Sequence, residues 1–341
     1  MSKNKVIVTG GAGFIGSHLV KKLVQKKRKV IVVDNLSSGK LENLWNLGLK
    51  KTDFGFRKLD LTDFSQALEA LKDGEIVYHL AARVGGIKFL HESESDELLA
   101  LTENLAIDSN VFKASLKRKI KKIIYTSSCA VYPLEKQFSF GAVFYERDLA
   151  IEKILKNQKF KFKLSLNPDG GYGLAKILGE IQLNLMKKIK VGIARIFNVY
   201  GINEPLGEKS HAISDLIKKA IFHPKKKFTI WGNGKQSRDY IYVTDCVEAL
   251  IKMERAISKV SPLTLNIGSG KAVSINEIAK KIIKISRKKI KPIYDLKKPV
   301  GPLSRKADIR KMKKILKWKP KISLDEGLKI TYYWIQKTIN A

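Results

Sequence analysis

Tyr172 and Lys176 stand four positions apart in a stretch patterned as a helix, so phenol and ammonium share one face. A tyrosine at its ordinary pKa of about 10 is a poor base at neutral pH. A neighbouring cation stabilises the phenolate and makes it a usable proton acceptor. A serine hydroxyl from the pair Ser127-Ser128, at the end of the apolar run Ile123-Ile124-Tyr125, could hydrogen-bond the same substrate oxygen. Tyr-x-x-x-Lys recurs by chance in ordinary helix faces, so its meaning depends on the elements that must position it.

The first of these is the opening stretch. Val6-Ile7-Val8-Thr9 reads as a buried strand that stops at glycines, and an apolar pattern of helical period (Phe14, Ile15, Leu19, Val20, Leu23) begins at once. Gly10, Gly13 and Gly16 are spaced for a tight turn, a close approach of backbone to a pyrophosphate, and packing of helix on strand. Phosphates would sit at the helix N-terminus, where free N–H groups and the dipole favour negative charge. A second strand, Val30 to Val33, ends in Asp34, which suits the two ribose hydroxyls of NAD and would repel the 2′-phosphate of NADP. These residues read as an NAD site.

Stepping along the chain, strands are expected around Phe54–Leu59, Ile76–Leu80, Ile123–Thr126 and Val191–Phe197, with helices near Phe64–Leu71, Asp96–Leu116 and from Tyr172 onward. Alternation of this kind predicts an α/β fold with a doubly wound parallel sheet whose ligands lie beyond the strands' C-terminal ends. Asp34-Asn35, Asp60-Leu61, Ala81-Ala82 and Ser127-Ser128 fall at those ends, and the small Ala81-Ala82 would let a cofactor lie close. Residues 134–170 break the rhythm and read as a lid or insertion. The division expected is an NAD-binding Rossmann domain over 1–200 and a smaller, mostly substrate-binding lobe over 201–341, with a return to the first domain around 228–256.

The chain has 341 residues and a formal charge of +34, from 66 basic and 32 acidic side chains. The lysines are spread along the whole length, which reads as solvated surface rather than the concentrated, aromatic-interleaved element of a nucleic-acid binder. Such a field would still speed encounter with a polyanionic substrate. No apolar run reaches the roughly 20 residues of a membrane helix. Two cysteines, Cys129 and Cys246, form neither a disulfide framework nor a zinc pattern, so a reducing cytoplasm and no metal are expected.

Together these residues resemble the extended short-chain dehydrogenase/reductase family, in its nucleotide-sugar epimerase and dehydratase branch. The resemblance spans essentially the whole chain. It rests on Thr9 to Gly16, Asp34, Asp60-Leu61, His79-Leu80-Ala81-Ala82, Ser127-Ser128, Tyr172 to Lys176 and Arg195-Ile196-Phe197-Asn198-Val199-Tyr200-Gly201. It implies that Ser128 is the catalytic hydroxyl, counted back from Val131-Tyr132, that Asp34 holds the adenosine ribose and Asp60 the adenine, and that Lys176 holds the nicotinamide ribose. Phe14, Ile15, Asn35 and Leu61 join the cofactor set, and Tyr172 becomes the base that takes a proton from a sugar hydroxyl.

Within the branch, dehydratases carry an Asp-Glu pair where this chain has Cys129-Ala130, which argues against dehydration. The nearest likeness is to GDP-mannose 3,5-epimerases, through the loop Ala82 to Ile87 with Gly86, the strand Trp231 to Arg238, and the last helix Gly327 to Ile335. UDP-hexose 4-epimerases are the alternative, and an idle NAD-binding protein with a nucleic-acid-binding surface is a remote one that intact Tyr172 and Lys176 oppose. Those 3,5-epimerases place a catalytic cysteine where Ala130 stands; Cys129 is one residue early and would point the other way along an extended segment. Their second acid/base group matches His211, with Lys209 close by. Ser127, Asn198, Trp231, Arg238 and Arg305 complete the implied substrate set, the two arginines as a clamp on the diphosphate. A homodimer through the helices Asp96–Leu116 and Tyr172–Lys187 is implied as well, with Leu98, Leu99, Leu101, Leu105, Ile177, Ile181 and Leu185 as its apolar surface.

Overall fold

The computed structural model describes residues 5–86, 89–90, 93–151, 167–207 and 210–340. Its first half runs β1 (Lys5–Thr9), α1 (Phe14–Gln25), β2 (Lys29–Asp34), β3 (Gly55–Lys58), α2 (Phe64–Ala70), β4 (Ile76–His79), α3 (Glu94–Lys117) and β5 (Lys122–Ser128). Then come β6 (Val143–Phe144), α4 (Gly170–Leu185), β7 (Lys190–Ile196), β8 (Asn198–Tyr200), α5 (Ala212–Phe222), β9 (Thr229–Trp231) and β10 (Ser237–Tyr242). The chain closes with α6 (Val243–Ala256), β11 (Leu263–Ile267), β12 (Ala272–Ser274), α7 (Ile275–Ser286), β13 (Ile293–Asp295), β14 (Ser304–Ala307), α8 (Arg310–Leu316) and α9 (Leu324–Asn340).

Seven strands form one sheet in the order β11-β7-β5-β4-β1-β2-β3, every neighbouring pair parallel. The chain therefore leaves β1 toward β2 and β3, then returns to β4 on β1's other side, and this reversal opens a crevice at the strands' C-terminal ends. Continuous β-branched runs fit a sheet covered on both faces. Val6 and Val8 of β1 pack into one buried cluster with Leu19, Val20 and Leu23 of α1, whereas Ile7 between them packs into another with Val111 and Phe112 of α3. The α/β doubly wound reading holds.

The smaller lobe joins a five-stranded sheet, β12-β10-β14-β6 with β8 on β10, and the pair β13-β9. Its own cluster brings together Ile213 and Leu216 of α5, Ile278 and Ile282 of α7, and Leu328 and Tyr332 of α9. α7 starts at a capping box, with Ser274 and Glu277 each accepting from the other's backbone N–H.

β11 was not legible as a strand of the large sheet, yet Leu263 to Ile267 pair in register with Gly192 to Ile196. α6, with Cys246 and Val247 buried, covers that part of the sheet, while Thr229–Trp231 pairs with β13 in the small lobe. Residues 134–151 are no loose flap: Gln137, Phe144, Leu149 and Ile151 are buried, and β6 pairs with β14. The remainder of the expected lid, 152–166, lies outside the described residues, as does Lys209. Of the expected apolar surface on α3 and α4, Leu98 and Leu185 are each 60% exposed, but Ile177 is buried, in the cluster that also holds Val131, Leu149 and Ile151. Among the described residues no helix is long and apolar enough to cross a membrane.

Candidate active site

A single cleft of about 1960 Å³ runs from the glycine turn to the small lobe. Pockets for one small ligand span roughly 300–1,000 Å³, so this one has room for a dinucleotide and a second nucleotide. Apart from Lys209, all the site residues expected from sequence line it.

At the cofactor end the backbone turns back on itself: Gly10 donates its N–H to Val33 O (2.8 Å), and Gly13 donates to Gly10 O (3.1 Å). Gly10 has φ +67°, and a Cβ at Gly16 would lie 2.0 Å from Gly10 O, so no side chain fits at either place. α1 then begins with no side-chain cap and no acid in its first turn, which leaves its N-terminal N–H groups to an anion. Asp34 accepts from Ala12 N–H (3.0 Å) and Leu36 N–H (2.9 Å). Burial pushes its carboxyl up from the ordinary value, and those two bonds pull it back. Asn35 donates to Asp60 (3.1 Å), and Asp60 is held below the usual carboxylate range by the hydroxyl and N–H of Thr62. The glycine cradle and the carboxylates at the ends of β2 and β3 fit NAD.

Across the cleft, α4 presents Tyr172 and Lys176. Burial raises the Tyr172 phenol, and a hydrogen bond with Ser128 favours its ionised form. Lys176 is 1% exposed, with its Nζ 5.9 Å from the centre of the Tyr172 ring. Ser128 Oγ also accepts from Ala130 N–H (3.1 Å) and so caps a 3₁₀ turn, Cys129–Val131. That turn overturns the expectation that Cys129 points away: the segment is not extended, and Cys129 lines the cleft with Arg305 Nη1 3.8 Å from its sulfur. Ser127 lines the cleft as well, and its hydroxyl donates to Glu180 Oε1 (2.6 Å), which ties it to the framework. Glu180 in turn binds Arg195 through Nη2 (2.6 Å) and Nε (2.9 Å), and Arg195 donates to Glu146 O and Leu149 O.

On the substrate side β10 and β14 set Arg238 beside Arg305 in register. Arg238 is 8% exposed and donates to the carbonyls of Ser237 and Val300. Burial and the neighbouring Arg305 lower it to about 10, a charge that an anion would relieve. Arg305 is different: it pairs with the Asp169 carboxylate and donates to Gln137 Oε1 (2.6 Å), so its charge is already answered. The clamp on a diphosphate therefore falls chiefly to Arg238. His211, at the start of α5, has its Nδ1 3.2 Å from Glu204 Oε1. Gly86 passes close to Ser210, whose carbonyl oxygen a Cβ would approach to 2.7 Å. Asn198 Oδ1 and Gln236 Oε1 are buried without a partner among the described residues, and both side chains line the cleft. Trp231 lines the far wall.

Sequence reading missed Asp169, Glu204 and Gln236. Asp169 sits in Asn167-Pro168-Asp169-Gly170-Gly171, which signals only a turn, and the other two carry no spacing pattern.

The fold and this site define a Rossmann-type, NAD-binding protein of the extended short-chain dehydrogenase/reductase class. The chain belongs to the NAD dependent epimerase/dehydratase family, whose sequence model matches residues 6–268, and its cofactor is NAD. It is 29% identical to GDP-mannose 3,5-epimerase of Arabidopsis thaliana, over 98% of this chain and 83% of that one. It is 30% identical to UDP-N-acetyl-alpha-D-glucosaminuronate decarboxylase of Bacillus cytotoxicus, over 99% of each. Among solved structures, UDP-glucuronic acid 4-epimerase from Bacillus cereus in complex with UDP-glucuronic acid and NAD superposes with a TM-score of 0.80 at 27% identity, covering 98% of this chain and 99% of that one.

Proposed function

We propose that the protein is an NAD-dependent nucleotide-sugar epimerase acting through a transient 4-keto sugar, with chemistry most like that of GDP-mannose 3,5-epimerases. The observation that carries this is Tyr172, backed by Lys176 and sharing with Ser128 the cleft that holds the glycine cradle and Arg238. NAD held by the glycine cradle and Asp34 would supply reversible hydride acceptance at carbon 4 of the sugar. Ser128 holds the 4-hydroxyl, and Tyr172 as phenolate takes its proton. Lys176 keeps the phenolate favourable and reaches the cofactor's ribose. Arg238 binds the diphosphate by charge-assisted hydrogen bonds.

Once carbon 4 is a ketone, the protons on carbons 3 and 5 are acidified. Inversion there needs one group to remove a proton and another to deliver one from the opposite face. His211, oriented by Glu204, supports one role, with Lys209 as its neighbour in sequence; Cys129 at the cleft wall supports the other. A second reading, inversion at carbon 4 itself, draws on the Cys129 sulfur being engaged by Arg305. It needs neither group. A thermal-shift panel of GDP-, UDP-, dTDP- and CDP-sugars finds the substrate, because only a ligand of the native state raises stability. Turnover of that sugar in heavy water then decides: deuterium at carbon 3 or 5 supports the first reading, and an inverted carbon 4 without deuterium supports the second. Loss of carbon dioxide from a sugar acid would replace both by a decarboxylase.

The exposed Leu98, Leu99 and Leu185 on α3 and α4 support a face for a second copy of the chain. A dimeric mass by light scattering at micromolar concentration is expected, and a monomeric one contradicts it.

A further inference from the structure

Lys176 is encircled by groups from three elements. Tyr125 of β5 lies under the ammonium, with its ring centre 4.7 Å from Nζ. Asp108 of α3 accepts a hydrogen bond from the Tyr125 hydroxyl, and on α4 itself stand Tyr172 and Glu180. Asp108 is fully buried, and its other oxygen lies 3.0 Å from His79 Nε2. His79 Nδ1 lies 2.7 Å from Thr9 Oγ1, which already accepts from the N–H groups of Leu80 and Ala81. The Thr9 hydroxyl hydrogen is therefore left to point at His79 Nδ1, so the neutral imidazole carries its proton on Nε2 and donates it to Asp108. A polar chain thus runs from β1, under the glycine turn, through β4 and α3 to the catalytic helix.

The charges divide cleanly. Glu180 is claimed by Arg195 at 2.6 Å and by Ser127, whereas Asp108, which holds the hydroxyl of the Tyr125 ring under Lys176, has no Lys or Arg in an ion pair with it among the described residues. Burial would push the Asp108 carboxyl up, but Lys176 and the hydrogen bonds from His79 and Tyr125 outweigh it and hold it below the ordinary range. Burial also lowers the Lys176 ammonium, with Asp108 opposing first and Glu180 second. Gly179 is what admits the arrangement: a Cβ there would lie 2.4 Å from the Tyr125 hydroxyl and 2.7 Å from Asp108 Oδ2.

We infer that Asp108, braced by Tyr125 and His79, is a positioning residue for the reaction: its buried carboxylate keeps Lys176 an ammonium in the cofactor site. The inference rests on the proposed role of Lys176 and adds a residue to it. A lysine stripped of its counter-charge in a buried site loses its proton at much lower pH, by up to about 3–5 units when burial is complete. Lys176 would then cease to be a cationic donor to the cofactor while the fold stays in place.

The test is NAD affinity by isothermal titration between about pH 6 and pH 9. For the unaltered protein the affinity stays level across this range, since Asp108 keeps the ammonium charged. A falling limb there overturns the inference with no variant needed. Asp108→Asn keeps shape and one hydrogen-bond acceptor. It should bind NAD within about threefold of the unaltered protein at the acid end and about tenfold or more weakly at the alkaline end. Lys176→Met should bind weakly and independently of pH, and adding Asp108→Asn to it should change nothing more. If Lys176→Met binds NAD normally, the reading of Lys176 itself fails. If Lys176→Met binds weakly but Asp108→Asn follows the unaltered protein at every pH, only the role of Asp108 falls.

Discussion

The two ends of the cleft are built differently. The cofactor end comes from one continuous piece of chain, a strand, three glycines and a helix, with one carboxylate from each of the next two strand ends. The substrate end is gathered from Cys129, Asp169, Asn198, His211, Arg238 and Arg305, which lie far apart along the chain and meet only after β10, β14 and α5 have packed. At the cofactor end the backbone does most of the work, so a side chain added to it is what hurts. At the substrate end charges answer one another, so a side chain removed is what hurts.

The largest expected effect lies where the two ends meet. Tyr172→Phe keeps the ring and removes the proton acceptor, so turnover should fall by about 10²–10⁴ with NAD affinity retained, measured by steady-state kinetics and titration. Activity within about tenfold of the unaltered protein would remove Tyr172 from the chemistry.

Gly16→Ala comes next and tests the backbone end. Its Cβ would lie 2.0 Å from a backbone oxygen that cannot move aside, and the expected cost is about 1–3 kcal/mol of stability together with loss of NAD affinity. Gly55→Ala, whose Cβ would meet its nearest atom at 3.7 Å, should be close to neutral in the same thermal and titration measurements. Equal effects at both sites would erase the contrast.

The charge end is tested by Arg238→Met, which should raise the KM for the nucleotide sugar by about 10–100-fold, in line with the about 1.5–3 kcal/mol of hydrogen bonds to charged groups. NAD affinity should not change. Arg305→Met should instead cost stability, because it leaves the Asp169 carboxylate without its partner. Interchanged phenotypes for the two arginines would reverse their assignment.

A stability effect links the halves. His18 on α1 donates from Nε2 to Ile202 O at 2.9 Å, and burial lowers its pKa to about 4 from an ordinary 6.5. The unfolded chain thus takes the proton first as pH falls. His18 contributes fully above about pH 6.5, and up to about 3 kcal/mol is lost between there and about pH 4. Chemical denaturation across that range should show a steeper acid loss for the unaltered protein than for His18→Gln. Parallel curves would contradict it.

The same asymmetry explains what sequence could say. Gly10, Gly13, Gly16 and Asp34 were legible because one local piece of chain must satisfy several constraints at fixed spacing. Tyr172 and Lys176 were legible because helical period puts them on one face. Cys129 was misread because a serine-capped 3₁₀ turn replaced an extended segment, and nothing in Cys129-Ala130-Val131 announces such a turn. The bond of Ser127 to Glu180 was not legible because Glu180 is brought to it by the packing of α4 on β5. Arg305 was taken as a second clamp because Asp169, its counter-charge, sat in a stretch that reads only as a turn. The strand Leu263–Ile267 was missed because it is the large sheet's outermost strand and only its pairing with β7 gives it a place.

In the proposed reaction the cofactor end takes a hydride from the sugar at the substrate end and gives the same hydride back. Its most direct test is turnover, with the protein as isolated, of the nucleotide sugar found by the thermal-shift panel, carrying deuterium at carbon 4. The epimerised product should keep that deuterium at carbon 4 of the same molecule, turnover after turnover, with no added oxidant or reductant. Epimerised product whose carbon-4 deuterium has been washed out into the solvent would contradict it.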